Sequence, residues 1–252
     1  MQYQELLLFF FAVALVYASV GFGGGSSYLA LLALYPIPFP EIKLTALSCN
    51  IIVVTGGTLL FIKHRQVDWK KTLPLVAASV PMAFAGARLK LSQEVFFIIL
   101  GCSLIAAALL LWVKTRRPDN DGYNEASQYG KSLLLGSAIG FLSGMVGIGG
   151  GIFLSPLLNL AKWDTPRRIA ATASLFILVN SVSGIAGQLS TAPGDINIRR
   201  IGLLCVAVLV GGQIGSRMAA AKFNMLVIKR VTAVLVFAAG VEVLCKHLPW
   251  FK

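Results

Sequence analysis

Long apolar runs alternate along the chain with short polar joints, and this spacing predicts helices that cross a bilayer. A hydrocarbon core about 30 Å thick takes about 20 apolar residues in a helix. The runs 44–62, 73–87, 95–113, 170–189, 201–214 and 226–244 approach or reach that length. Two further runs are interrupted by glycine: 6–20 resumes at 26–35, and 133–146 resumes at 152–160. Backbone N–H and C=O groups inside lipid must pair within their own segment, so all of these are predicted as helices. The expected fold class is an all-α integral membrane protein.

The pattern occurs twice. Gly21-Phe22-Gly23-Gly24-Gly25 returns 126 positions later as Gly147-Ile148-Gly149-Gly150-Gly151. Gly86-Ala87-Arg88 returns 129 positions later as Gly215-Ser216-Arg217, and Ser48 and Asn50 have loose counterparts in Ser174 and Asn180. The chain therefore divides into an N-terminal membrane repeat, 1–113, and a C-terminal one, 131–252. A polar linker, 114–130, joins them; it carries the turn formers Pro118, Asp119, Asn120, Asp121 and Gly122.

Each repeat has four segments, the first broken at its glycines, and two topologies satisfy that count. If the broken segments cross, the halves are parallel with eight crossings. If they dip in and return, each half has three crossings and the halves are inverted. Lys and Arg decide between them, because cytoplasmic loops collect positive charge. Eight crossings divide the 22 basic residues 12 to 10, whereas two re-entrant hairpins divide them 15 to 7. Inverted halves with both termini outside are expected.

Composition supports the membrane class and narrows the function. Hydrophobic residues make up 57% and charged residues 13%, with a mean hydropathy of +0.79; soluble domains carry about 25% charged residues. Residues 1–5 lack Lys and Arg, so the first run is expected to be a retained membrane segment and not a secretory signal. The net charge of +12 lies mostly in the joints, as for loops facing anionic lipid, and no basic stripe with interleaved aromatics suggests nucleic acid. Cys49, Cys102, Cys205 and Cys245 have no metal-ligand or disulfide spacing. Neither a cofactor nor a metal is expected.

The glycine clusters are the candidate site. Interrupting a helix in lipid frees backbone groups that must face protein or a watery cavity, and paired interruptions in two repeats mark transporter binding sites. The segments after the breaks aim free N–H groups and the positive dipole end at the midplane, which suits an anion. Gly23, Gly24, Gly25, Gly149, Gly150 and Gly151 let an oxyanion approach the backbone, Ser26 and Ser27 add hydroxyls, and Ser155 is a weaker candidate. The plainer explanation is that these glycines only let helices pack closely. Asn50 and Asn180 line the substrate path or hydrogen-bond between helices. Arg88 and Arg217 attract or gate an anion, or merely snorkel at helix ends. Glu242, the one acid deep in an apolar run, is the candidate proton carrier, although Lys246 and His247 beside it suit a place near the surface. Pro81 and Gly211-Gly212 are candidate hinges. A hydrolase is disfavoured: His64 and His247 sit at segment ends, with no nucleophile elbow at a serine.

With its two G-x-G-G-G breaks inside two four-segment halves, the chain resembles the sulfite exporter TauE/SafE family of permeases over nearly its whole length. The second copy, Gly147 to Leu158, is the closer match; the first departs from it at Ser26-Ser27-Tyr28. The resemblance implies an inner-membrane permease for small sulfur-containing anions such as sulfite, thiosulfate or organosulfonates. An anion channel, or a transporter of another small oxyanion or a carboxylate, is the alternative. Proton coupling and a homo-oligomer remain open.

Overall fold

A computed structural model of the chain describes residues 2–19, 22–112, 125–161, 163–191 and 196–220, with 233–234, 236–238, 240–241 and 243–245. Among these residues every regular element is a helix: α1 Gln2–Ala18, α2 Gly25–Ala33, α3 Phe39–Lys63, α4 Trp69–Arg88, α5 Gln93–Trp112, α6 Glu125–Val146, α7 Gly151–Leu160, α8 Pro166–Leu189 and α9 Ile198–Ala220. Four of them, α3, α5, α8 and α9, are long and apolar enough to cross a membrane. The last segment is described in part, and its Gly240 packs against Leu104 and Ile105 of α5.

Helix starts follow local chemistry. Proline has no N–H to lose in a first turn, and Pro40 and Pro166 open α3 and α8. Asp68 caps α4 by accepting the backbone N–H of Lys70 at 3.1 Å and of Lys71 at 3.4 Å. Asn197 does the same for α9 through the Arg200 N–H at 3.0 Å. Two starts differ from the expected ones. α3 begins five residues before position 44, which draws Lys43 from a joint into a buried turn. α6 begins at Glu125, inside the stretch read as linker. Pro81 lies within α4, which runs unbroken from Trp69 to Arg88.

Contacts fix the helix directions. On α3 and α8, Pro40 meets Gln188, Leu47 meets Gly184 and Thr58 meets Ser174, so one numbering rises as the other falls and the two are antiparallel. On α4 and α6 the backbone carbonyls of Leu75, Ser79 and Ala83 press on Gly136, Gly140 and Gly144, and the pair is parallel. The same rule makes α1 parallel to α9, through Phe11 with Gly211 and Leu15 with Gly215. It makes α3 parallel to α9, through Glu41 with Arg200 and Gly56 with Gln213. Finally, α4 is parallel to α8 through Thr72 with Thr172 and Phe84 with Gly187.

Hence α1, α3 and α9 point one way and α4, α6 and α8 the other. α1 and α3 agree in direction, so α2 between them turns back; α7 turns back between α6 and α8 for the same reason. These returning helices have 9 and 10 residues, about 15 Å, or half a hydrocarbon core. The α1–α2 hairpin enters from the face where α3 begins, and the α6–α7 hairpin from the face where α3 ends.

Small residues and hydroxyls hold the bundle together, as expected where lipid is no less apolar than the side chains. Gly136, Gly140 and Gly144 bring α6 onto α4 so closely that a Cβ on Gly140 would lie 2.5 Å from the Ser79 carbonyl oxygen. A hydroxyl seam runs along α8: Thr172 with Thr72 at 3.0 Å, Ser174 with Thr58 at 2.9 Å, and Ser183 donating to the Val80 carbonyl at 2.6 Å.

Candidate functional site

The two hairpin tips meet beside the middle of α3. Each tip turns on glycines with positive φ, a conformation that other L-residues resist: Gly24 at 84° caps α2, and Gly150 at 78° caps α7. Both cap residues are glycines and so supply no side-chain acceptor to the first N–H groups of α2 and α7.

Asn50 stands between the tips. Its Nδ2 donates to the Ile148 carbonyl of the second tip at 2.8 Å, and its amide fills the space a Cβ would need on Gly23 or Gly25 of the first. Gly149 completes the junction: a Cβ there would lie 2.9 Å from Asn50 Nδ2, 2.9 Å from Ser181 Oγ and 3.0 Å from Ile177. One amide therefore touches both glycine clusters.

Several polar atoms around this junction have no hydrogen-bond partner among the described residues: Asn50 Oδ1, Ser181 Oγ, Ser143 Oγ and Tyr28 OH. Their side chains are at most 1% exposed. Tyr28 lies under Gly24, and Ser143 packs at Gly150. Buried polar groups are nearly always paired, so four orphans around two glycine-capped helix starts mark a place for a polar ligand or water. Three hydroxyls can donate to an oxyanion, while the amide oxygen only accepts; it calls for a water or a protonated oxyanion.

Some candidates read from the sequence lie here and others do not. Gly23, Gly24, Gly25, Asn50, Gly149, Gly150 and Gly151 form the junction. Ser26 is 1% exposed at the first turn of α2, and the Ser27 hydroxyl is taken by Tyr17 OH at 2.7 Å. Asn180 points elsewhere, donating to Ser79 Oγ on α4 at 2.9 Å and to the Phe176 carbonyl at 2.8 Å. The side chain that faces Gly151 as Asn50 faces Gly25 is Ile177. Arg88 and Arg217 are exposed in the last turns of α4 and α9, at opposite faces, with Arg88 over the Phe84 ring at 5.6 Å. The glycine before each has a packing role: Gly86 abuts the Phe141 carbonyl and Gly215 the Leu15 carbonyl. Glu242 lies outside the described residues. Sequence reasoning missed Ser143 and Ser181, and noted Tyr28 only as part of a departure from pattern. A hydroxyl one helical position from Asn180 was the available signal.

Ionic contacts close both ends of the α3–α8–α9 group. Where α3 begins, Glu41 pairs with Arg200 at 3.2 Å and accepts the Asn197 N–H at 3.3 Å. Where α3 ends, Asp164 holds Lys71 at 3.2 Å and Arg168 at 3.6 Å, and Arg168 reaches Asp68 at 3.9 Å. A cavity of about 340 Å³ opens at that second end between Lys71, Trp163, Tyr129 and Ser132.

Against known proteins, the sequence model of a family described as "Sulfite exporter TauE/SafE" matches residues 6–243. A probable membrane transporter protein of Sinorhizobium fredii, y4hK, is 31% identical over 95% of this chain and 97% of its own. The probable membrane transporter protein MJ0441 of Methanocaldococcus jannaschii is 26% identical over 81% and 78%. YunE of Bacillus subtilis, named in the same way, is 27% identical over 69% of each chain. No solved structure gives a significant match.

Proposed function

Starting from a chain that belongs to the sulfite exporter TauE/SafE family of membrane transporters, and is therefore a transporter and not an enzyme, we propose that it is a permease for small sulfur-containing anions. The anion binds where the two glycine tips meet, against the N-termini of α2 and α7. Asn50, Ser181, Ser143 and Tyr28 supply the side-chain contacts. Ser26 and Ser27 border the first tip, and Asn180 fixes α8 against α4 beside it.

The observation that carries this reading is the junction itself: two helix starts capped by glycines, Gly24 and Gly150, share one amide and are ringed by buried hydroxyls with no hydrogen-bond partner among the described residues. Helix N-termini at mid-depth are a transporter's means of holding a negative charge in lipid. The antiparallel α3 and α8, and the hairpins entering from opposite faces, support two inverted repeats, 1–113 and 131–252, on either side of the 114–130 linker. With the more basic side in the cytoplasm, the face where α3 ends is internal, and the membrane is the inner one. Access alternates by loosening the Glu41–Arg200 contacts on one face and the Lys71–Asp164–Arg168 cluster on the other. Arg88 and Arg217 attract anions at the two mouths, and Glu242 is the candidate for proton coupling.

The test is uptake of labelled sulfite, thiosulfate, sulfate and small sulfonates into proteoliposomes, with and without a pH gradient. Saturable flux that a trans anion accelerates is expected, and it is lost when Gly24 and Gly150 are both replaced by leucine. Flux that neither saturates nor responds to trans anion indicates a channel. Flux unchanged in the double variant removes the glycine tips from the site.

A further inference from the structure

We propose that Lys43 is a second anion-binding station, on the face where α3 begins, through which the substrate passes between water and Asn50. The inference rests on the transport reading above and deepens it.

Lys43 is on α3, and its side chain is only 6% exposed. A lysine near a helix end in a membrane usually snorkels to water; this one is enclosed instead. Its ammonium lies over the rings of Phe96 at 4.7 Å and Phe39 at 5.1 Å. No carboxylate among the described residues lies within ion-pair distance of it. Glu41, two positions earlier, is engaged by Arg200 and the Asn197 N–H. Ring faces attract a cation, but they do not replace the hydration a buried ammonium loses, and such charges in membrane proteins are otherwise met by a counter-ion. A passing anion supplies that counter-ion transiently.

Position makes the passing anion the substrate. Lys43 precedes Asn50 by seven residues, two helical turns, so the two share one face of α3. Both ends of that stretch touch the second hairpin tip: the Lys43 stem lies 3.4 Å from where a Cβ on Gly147 would be, and Asn50 bonds Ile148 and touches Gly149. Charge, glycine tip and amide thus lie along one track. The opposite half has no equivalent, because two turns before Ile177 on α8 stands Ala170. The track is one-sided, and so is its expected kinetic effect.

The experiment measures sulfite transport in proteoliposomes sorted by orientation, for wild type, Lys43→Met, Lys43→Arg and Asn50→Leu. Methionine keeps most of the stem and removes the charge. The expected result is a KM raised at least about tenfold for anion presented at the α3-start face, with KM at the other face within about threefold of wild type, and rescue of most of the effect by Lys43→Arg. Equal KM values for Lys43→Met and wild type overturn the proposal, as does an equal loss in the methionine and arginine variants, which marks a packing role. Loss in Asn50→Leu with normal Lys43→Met kinetics rejects the station and leaves the central site standing. The reverse pattern rejects the central site alone. If wild type moves none of the sulfur anions, nor a carboxylate control, the transport reading fails and takes the station with it.

Discussion

Replacing Asn50 by leucine separates packing from binding at the junction, because leucine has the same branching as asparagine and no polar atoms. The Nδ2 bond to Ile148, 2.8 Å long and buried, is lost, and leaving that carbonyl unpaired costs about 1–3 kcal/mol. The variant also removes the Oδ1, which has no partner among the described residues, and this relieves a burial penalty of similar size. The two effects oppose each other, so net stability changes by less than about 2 kcal/mol and the protein folds. Binding has no such offset. The second Nδ2 proton, which the Ile148 carbonyl does not use, is the donor to the anion, and a hydrogen bond to a charged group contributes about 1.5–3 kcal/mol, which corresponds to a roughly 10- to 150-fold fall in kcat/KM for uptake. Unfolding of the purified protein by SDS titration is measured beside sulfite uptake in proteoliposomes. Uptake within about threefold of wild type refutes the reasoning, and so does a loss of uptake that tracks a collapse in stability, because Asn50 is then only a strut.

Ser181→Ala removes a buried hydroxyl that has no partner among the described residues. Stability is therefore expected to hold or rise slightly while KM for sulfite increases, and an unchanged KM excludes the hydroxyl from binding. Glu41→Ala takes one member from a buried pair with Arg200, and SDS titration is expected to show a loss of about 3 kcal/mol; a change below about 1 kcal/mol means the pair is solvated in the membrane. Gly140→Leu drives a side chain into the Ser79 carbonyl and is expected to abolish the folded protein on size-exclusion chromatography, whereas Gly202→Ala, facing open space on α9, gains up to about 1 kcal/mol.

The sequence carried the helical segments and the two glycine interruptions because both are local: apolar length and the left-handed turn need no knowledge of neighbours. Helix direction was not legible locally; the distribution of Lys and Arg gave only an expectation for it. Side-chain aim was not legible. Adjacent residues on a helix point about 100° apart, so Asn180 faces Ser79 on α4 while Ser181, one position on, faces Gly149. Pairing Asn50 with Asn180 by chemical likeness therefore missed Ile177, which holds the matching place by geometry. Lys43 was hidden for another reason. A charge before an apolar run reads as a joint, and only the start of α3 at Phe39, set by the prolines around it, places that charge within the helix.

The glycine ladder that binds α6 to α4, and the matching contact of α9 with α1, cross between the two parts of the chain. Each hairpin is thereby bolted to a helix made from the other end of the polypeptide. During synthesis α4 leaves the ribosome well before α6, and α1 must wait for nearly the whole remaining chain before α9 arrives. The first hairpin therefore sits in lipid without its clamp until the final third of the protein has been inserted.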